Sequence, residues 1–265
     1  MVISDKYADP SNLSSQYKSN SPFPHIVLDD FISEDLLNSV SEEFPDLKTL
    51  KHKIEYSDQK EIKFASSGSS ELSPSAKVLI NFLNSDIFLE YLQRLTGIAE
   101  PLISDPYLSG GGYHEIKTGG VLKVHADFNK HPKLDLDRRL NLLLYLNKDW
   151  DSSWGGNLEL YKTDDLSSPV VSVEPIFNRC VIFTTTSFTY HGHPEPLTCP
   201  EERSRKSIAL YYFSTGRPKS EVNKTKHGTL FVETKGERFS PEFKKVIADF
   251  LPPVVIKGVK KLLGK

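Results

Sequence analysis

From residue 107 to residue 213 the chain is broken into short runs of β-branched and aromatic residues, at 121–124, 139–146, 157–161, 170–173, 180–183 and 207–213, with Gly, Pro, Asn and Asp clusters between them. Many short strands with turn punctuation read as a sandwich or barrel. Among such folds a jelly roll, or double-stranded β-helix, suits a metal site at its mouth. Helical periodicity is confined to the flanks, so the expected fold class is α+β. No internal repeat or interdomain linker interrupts the pattern.

The flanks supply the helices. Residues 1–21 are polar and rich in Ser and Asn and read as an N-terminal arm, and PFPHIVLDDF at 22–31 gives a short strand. Ser33 stands where an N-cap would open a helix over 34–44, with Leu36, Leu37, Val40 and Phe44 as its apolar stripe. Residues 48–70 are charged and then Ser/Gly-rich, without helical period, and read as strand or loop forming a wall of the active site. Ser73-Pro74 opens a helix to Leu83. Ser85 opens another, with Ile87, Phe88, Tyr91, Leu92 and Leu95 as its buried stripe and Gly97 as its terminator. These helices are expected as a supporting layer. The domain proper is read as 22–239, with a catalytic core near 105–215. In the tail, 240–265, Val255, Val259 and Leu262 or Leu263 oppose Lys257, Lys260 and Lys261, as on an amphipathic helix. Docking on its own domain is the first reading of that helix, and contact with an anionic membrane surface the second.

Composition removes several function classes. Lys+Arg 33 against Asp+Glu 35 gives a net charge of -2, so no basic field draws in nucleic acid. Cys180 and Cys199 have neither metal-site spacing nor the density of a disulfide framework and read as reduced thiols. The N-terminal stretch lacks an apolar core, and no run of apolar residues reaches membrane-spanning length. A cytoplasmic protein is expected.

The chemistry centres on GGYHEIKTGGVLKVHADFN at 111–129. In a strand, residues two apart point the same way, which puts the His125 imidazole beside the Asp127 carboxylate. His191, in SFTYHGHPEPL, follows another β-like run, and His193 would share its strand face. Two His and one carboxylate form the recurrent facial triad for non-haem Fe(II), which leaves positions open for other ligands. Alone, His-x-Asp in a half-buried strand is more often structural, so the surrounding sequence has to carry the assignment.

That surrounding sequence consists of Tyr145-Leu146-Asn147-Lys148-Asp149-Trp150, Gly155-Gly156, Val173-Glu174-Pro175 with Phe177 and Arg179, the distal His191, and Arg205 followed by Ile208 and Tyr211-Tyr212-Phe213. In this order the motifs resemble the 2-oxoglutarate/Fe(II) dioxygenases, most of all the prolyl 4-hydroxylase-like branch that includes the hypoxia-sensing enzymes. The resemblance implies His125, Asp127 and His191 as metal ligands, with His191 preferred to His193 on its distance from Arg179 and Phe183. It implies Arg205 on the distal carboxylate of 2-oxoglutarate, with Arg203 as the alternative across an insertion at 194–202, and the Tyr145 phenol on the same carboxylate. Where the family has a further tyrosine upstream of the first ligand this chain has Glu115, so His114 or Tyr113 is expected to contribute instead.

The implied cofactors are Fe(II), 2-oxoglutarate and O₂, with ascorbate as an accessory reductant. The implied reaction is hydroxylation of an unactivated C–H bond, on a peptidyl proline first, or on a small molecule such as a free amino acid or a sugar- or lipid-linked metabolite. A non-catalytic jelly-roll binding module and a zinc hydrolase on the same triad are the competing classes. A zinc hydrolase needs no Tyr145/Arg205 clamp, and a binding module leaves the combination of triad and arginine unexplained. His25, His52, His131 and His227 read as surface or structural.

Overall fold

The computed structural model describes residues 2–222, 226–234 and 239. In chain order it contains α1 (Ser11–Ser19), β1 (His25–Asp29), α2 (Glu34–Glu42), β2 (Lys53–Ser57), β3 (Ile62–Ser66), α3 (Pro74–Leu83), α4 (Asp86–Thr96) and β4 (Ile103–Ser104). There follow β5 (Gly112–Lys117), β6 (Leu122–Ala126), β7 (Asp137–Tyr145), β8 (Leu158–Tyr161), β9 (Val171–Val173), β10 (Arg179–Thr184), β11 (Tyr190–His193), β12 (Ser204–Ser214) and β13 (Leu230–Phe231). The strands make two antiparallel sheets. The larger runs β1-β10-β7-β12-β5-β3-β2, with β4 also paired to β12, and the smaller runs β13-β6-β11-β8-β9. With four helices alongside, the class is α+β, as expected.

Alternation along the central strands explains the layering. On β10, Cys180 and Ile182 join the core shared with the helices, while Val181 and Phe183 join a second core with Leu158, Leu160 and Val173 of the smaller sheet. On β7, Leu140, Leu142 and Leu144 face the helices, and Tyr145 faces the smaller sheet. Strands buried on both faces read as continuous apolar runs, which is why RLNLLLY and CVIF lack a polar alternation. Asn141, which interrupts the first of these runs and points inward, belongs to the site described below.

The supporting helices follow their local signals with two exceptions. Ser73 and Ser85 accept hydrogen bonds from the Ala76 and Phe88 amides, and Gly97 ends α4 at φ +72. Ser33 occupies the N-cap position of α2 without a side-chain cap bond, and α2 stops at Glu42, short of the expected 44. Ile87, expected in the buried stripe of α4, is 69% exposed. Phe88, Tyr91, Leu92 and Leu95 already complete one i, i+3, i+4, i+7 face, and Ile87 falls outside it.

Two segments ahead of the β-rich core take up regular structure, the second in keeping with its strand reading. Residues 11–19, read as part of an arm, form α1, where Tyr17 is buried and its hydroxyl lies 2.7 Å from Thr184 Oγ1. Residues 48–70 supply β2 and β3, which extend the larger sheet beyond β5. The tail expected over 240–265 lies outside the described residues. Among the described residues no helix is long and apolar enough to cross a membrane.

Asn178 ties the lead-in to this framework from φ +61, a left-handed conformation that Asn tolerates better than most residues. Its amide donates to Ile32 O at 2.8 Å and its Oδ1 accepts from Ile32 N at 2.9 Å, both buried. Asn178→Ala should therefore lower unfolding stability by about 2 to 4 kcal/mol, because both Ile32 groups lose their partners. A urea titration measures this, and an unshifted midpoint would show that the pair contributes nothing net.

Candidate active site

β6 and β11 lie side by side with His125 directly opposite His191, so the two imidazoles share one face, their ring centroids 4.4 Å apart. The His125 Nδ1 donates to Lys123 O at 2.8 Å and the His191 Nδ1 to Thr189 O at 3.1 Å. Each proton therefore sits on the outer nitrogen. Both Nε2 lone pairs turn toward Asp127, at 3.7 Å from Oδ1 for His125 and 3.4 Å from Oδ2 for His191. One ligand atom from each of the three residues lies within 4.8 Å of the others, a spacing that could hold a metal ion.

A bulge sharpens the aim. His193 pairs with Leu122, so β6 carries one more residue than β11 between the two pairs. Leu122 and His125 both line the cavity, while Lys123 turns away and sends Nζ to Pro194 O at 2.8 Å. Gly192 permits the close approach, since a Cβ there would lie 2.8 Å from Leu122 O and 3.0 Å from Lys123 O.

Asp127 is oriented from behind. Its Oδ2 accepts from Asn141 Nδ2 at 2.7 Å and lies 3.2 Å from Arg138 Nη2. Arg138 donates in turn to Asn141 Oδ1 from Nε and Nη2, at 3.0 and 2.7 Å, with its guanidinium between the rings of Phe128 (4.3 Å) and Tyr211 (3.5 Å). Burial opposes a charge on Asp127, but Arg138 and the two imidazoles hold its carboxyl well below the usual carboxylate range. Burial, with His125 alongside, pushes His191 down to about 4. An ionised carboxylate and a neutral imidazole are the states a divalent cation requires of its ligands.

The same cavity contains Arg205, on β12 and buried. Its Nε donates to Gly156 O at 2.7 Å and its Nη2 to Tyr145 Oη at 3.2 Å. No carboxylate among the described residues pairs with it. Burial lowers its pKa from the ordinary value, yet a guanidinium keeps its proton at neutral pH. Gly156, at φ +77, leaves the space the arginine occupies, because a Cβ there would stand 3.0 Å from Arg205 Cδ. The alternative arginine lies elsewhere: Arg203 Nη2 donates to the carbonyls of Lys148 and Asp149, in an outer cleft with Lys206.

Strand parity separates the two candidates on β5, His114 and Tyr113. His114 lines the cavity, and its Nε2 donates to Gly110 O at 2.9 Å. Burial, then Lys63, pushes its pKa down to about 3, so the ring is neutral. Tyr113 points the other way, its hydroxyl 2.8 Å from Ser73 Oγ and its ring against Phe44. Glu115 follows Tyr113 outward and accepts from Ser204 Oγ at 2.8 Å.

Several lining groups escaped the sequence reading: Lys63, Arg138, Asn141 and Ser207. An Asn inside an otherwise apolar two-faced strand was an available signal for the third. Lys63, on β3, carried none. Of the remaining histidines, His131 meets Asp105 at 3.0 Å, His227 meets Ser187 Oγ at 2.6 Å, His25 is buried and His52 is exposed, the structural and surface positions expected of them.

Residues 111–213 match the family model of the 2OG-Fe(II) oxygenase superfamily, a span that contains all three triad residues, Tyr145 and Arg205. Those residues belong to the 2OG-Fe(II) oxygenase superfamily. Within it the chain is similar to prolyl hydroxylases. It is 30% identical over 198 residues to prolyl 3-hydroxylase OGFOD1 of Mus musculus, covering 72% of this chain and 33% of that protein. The Xenopus laevis protein of the same name is 29% identical over 196 residues, covering 72% and 35%. The chain thus spans about a third of the length of the curated relatives it matches.

Among solved structures, a Pseudomonas putida prolyl-4-hydroxylase superposes with TM-score 0.54 at 15% identity, covering 78% of this chain and 99% of that one. A Trichoplax adhaerens prolyl hydroxylase, solved with a hypoxia-inducible-factor peptide fragment, gives 0.55 at 21% identity, covering 79% and 91%. At these identities the two structures speak to the fold.

Groups that orient metal ligands typically account for 10- to 100-fold in metal affinity. Asn141→Ala should therefore weaken Mn(II) or Fe(II) binding by about tenfold or more, read by anaerobic calorimetry. Unchanged affinity would leave Arg138 as sufficient to orient Asp127.

Proposed function

We propose that this chain is an Fe(II)- and 2-oxoglutarate-dependent hydroxylase whose first substrate class is a peptidyl proline. The observation that carries the reading is Arg205: a buried guanidinium without a carboxylate partner among the described residues, in the same cavity as a His/Asp/His donor set. Burying an uncompensated charge costs several kcal/mol, so such a residue is best explained by an anionic ligand that completes it. A dicarboxylic cosubstrate fits, with one end toward the metal and the other toward the arginine.

In this reading His125, Asp127 and His191 hold the iron, Arg205 and Tyr145 take the distal carboxylate, and His114 adds a further polar contact. Burial raises the Tyr145 phenol, so it stays protonated, and while accepting from Arg205 it can still donate. With 2-oxoglutarate and O₂, the bound iron supplies the oxidative decarboxylation to succinate and CO₂ that drives C–H hydroxylation. The chain's part is to hold and to exclude: Leu122, Leu143 and Leu158 line the cavity with hydrocarbon, and the stacked Arg138 holds the Asp127 carboxylate in place. We take the two sheets as a double-stranded β-helix and 22–239 as the domain. Ascorbate is the proposed accessory reductant and the cytoplasm the proposed compartment. Proline as the target rests on the names of the OGFOD1 relatives, and a peptide form of it on the peptide-bound Trichoplax adhaerens enzyme.

Two outcomes test the reading. Succinate release should require both Fe(II) and 2-oxoglutarate, proline-containing peptides should gain one oxygen by mass spectrometry, and His125→Ala, Asp127→Ala or His191→Ala should abolish both signals. Succinate release that ignores 2-oxoglutarate would sink the proposal, and oxygen gained by a free amino acid instead would move the substrate class. Arg205→Ala should raise the 2-oxoglutarate requirement by the equivalent of about 2 to 5 kcal/mol while sparing metal binding. An unchanged requirement would remove the arginine from the cosubstrate site.

A further inference from the structure

His193 is 4% exposed, and neither of its ring nitrogens has a hydrogen-bond partner among the described residues. The Glu195 backbone lies beside the ring without completing such a bond. Leaving a buried polar group unsatisfied is costly, and a native chain that keeps one usually has a ligand or water for it. His193 also lines the cavity that contains Arg205 and the triad. Hydrocarbon of similar size would fill the position without that cost, so the polar ring requires its own explanation.

Metal ligation does not supply it. The ligand atoms that converge belong to His125, Asp127 and His191, and His193 sits beyond the bulge, opposite Leu122. Its charged neighbours are Arg205 and Lys63, with His125 further down the order of influence. Arg205 spends Nε on Gly156 O and Nη2 on Tyr145 Oη, and its Nη1 makes no hydrogen bond to the described residues. An anion at Arg205 therefore meets a free guanidinium nitrogen and, across the cavity, an imidazole in want of a partner. A carboxylate accepts about four hydrogen bonds spread over two oxygens, and imidazole carries at least one N–H in either protonation state, so His193 can supply one of them from the side away from Arg205.

We propose that His193 is a positioning residue for the cosubstrate, donating a hydrogen bond to the 2-oxoglutarate carboxylate that Arg205 binds. The inference rests on the hydroxylase reading above. It assigns to this chain a donor that works from the metal strand, where Arg205 and Tyr145 work from the opposite sheet. The carboxylate is then gripped from both sides, and rotation about the arginine fork is blocked.

The test is direct binding without turnover: 2-oxoglutarate titrated calorimetrically into Ni(II)-loaded protein. His193→Leu should bind 2-oxoglutarate about 10- to 100-fold more weakly, the range for losing a hydrogen bond to a charged group, with Ni(II) affinity unchanged. His193→Gln, which keeps an N–H donor, should recover most of the loss. An unchanged dissociation constant in His193→Leu overturns the proposal. So does a loss of Ni(II) affinity in that variant, or equal weakening in Leu and Gln. Wild-type protein that binds Ni(II) but not 2-oxoglutarate would instead overturn the hydroxylase reading itself.

Discussion

The buried carboxylate of Asp127 is the group on which the rest of the site depends. A lone carboxylate in this interior would take up a proton, and a protonated acid is a poor metal ligand. Arg138 prevents that, and two aromatic faces and the Asn141 amide replace part of the water Arg138 gave up, while its Nη1 stays without a hydrogen-bond partner among the described residues. The chain of support runs from Tyr211 on β12, through Arg138 and Asn141 on β7, to Asp127 just after β6. It crosses from one sheet to the other, so the relative placement of the sheets is written into the geometry of the triad.

The larger sheet makes this possible by being buried twice. Its outer face is covered by the helices, which leaves its inner face available for polar work. Arg205, Ser207, His114 and Asn141 all point inward from strands whose outward residues are apolar or packed. Rigid strands suit a site in which small displacements matter, because each side chain is fixed by its register with two neighbours. The register pairs Arg205 with Ile116 and Ser207 with His114, which sets these residues on one wall.

Much of this was legible in the residues. The Ser73-Pro74 and Ser85 helix starts, the two-faced run at 180–183 and the juxtaposition of His125 with Asp127 all follow from local rules that tertiary structure left in force. The preference for Arg205 over Arg203 came from a resemblance; β12 begins at Ser204, and it is the later arginine that lines the cavity. What could not be read depended on contacts distant in sequence. Ile87 is apolar at the margin of a helical face, and only the packing of α4 decides which side of the margin it takes. His114 and Tyr113 are adjacent, and their parity is fixed by pairing with β12, some ninety residues on. The bulge in β6 is invisible in VLKVHAD, though it decides that Leu122 and not Lys123 joins the cavity.

One feature at the rim of the smaller sheet concerns a different hazard, adhesion between copies. β6, which carries His125, would be an open edge if the chain did not cover it twice. Its first half is bridged by residues 60–62, where Lys123 N reaches Lys60 O and Ile62 N reaches Val121 O, and its second half by β13 and the Val232 N to Val124 O bond. An uncovered strand of amides and carbonyls is a template for another strand. Shortening the chain before residue 230 would therefore do more than trim a loop: it would leave the strand that carries His125 half bare, and the first symptom would be self-association.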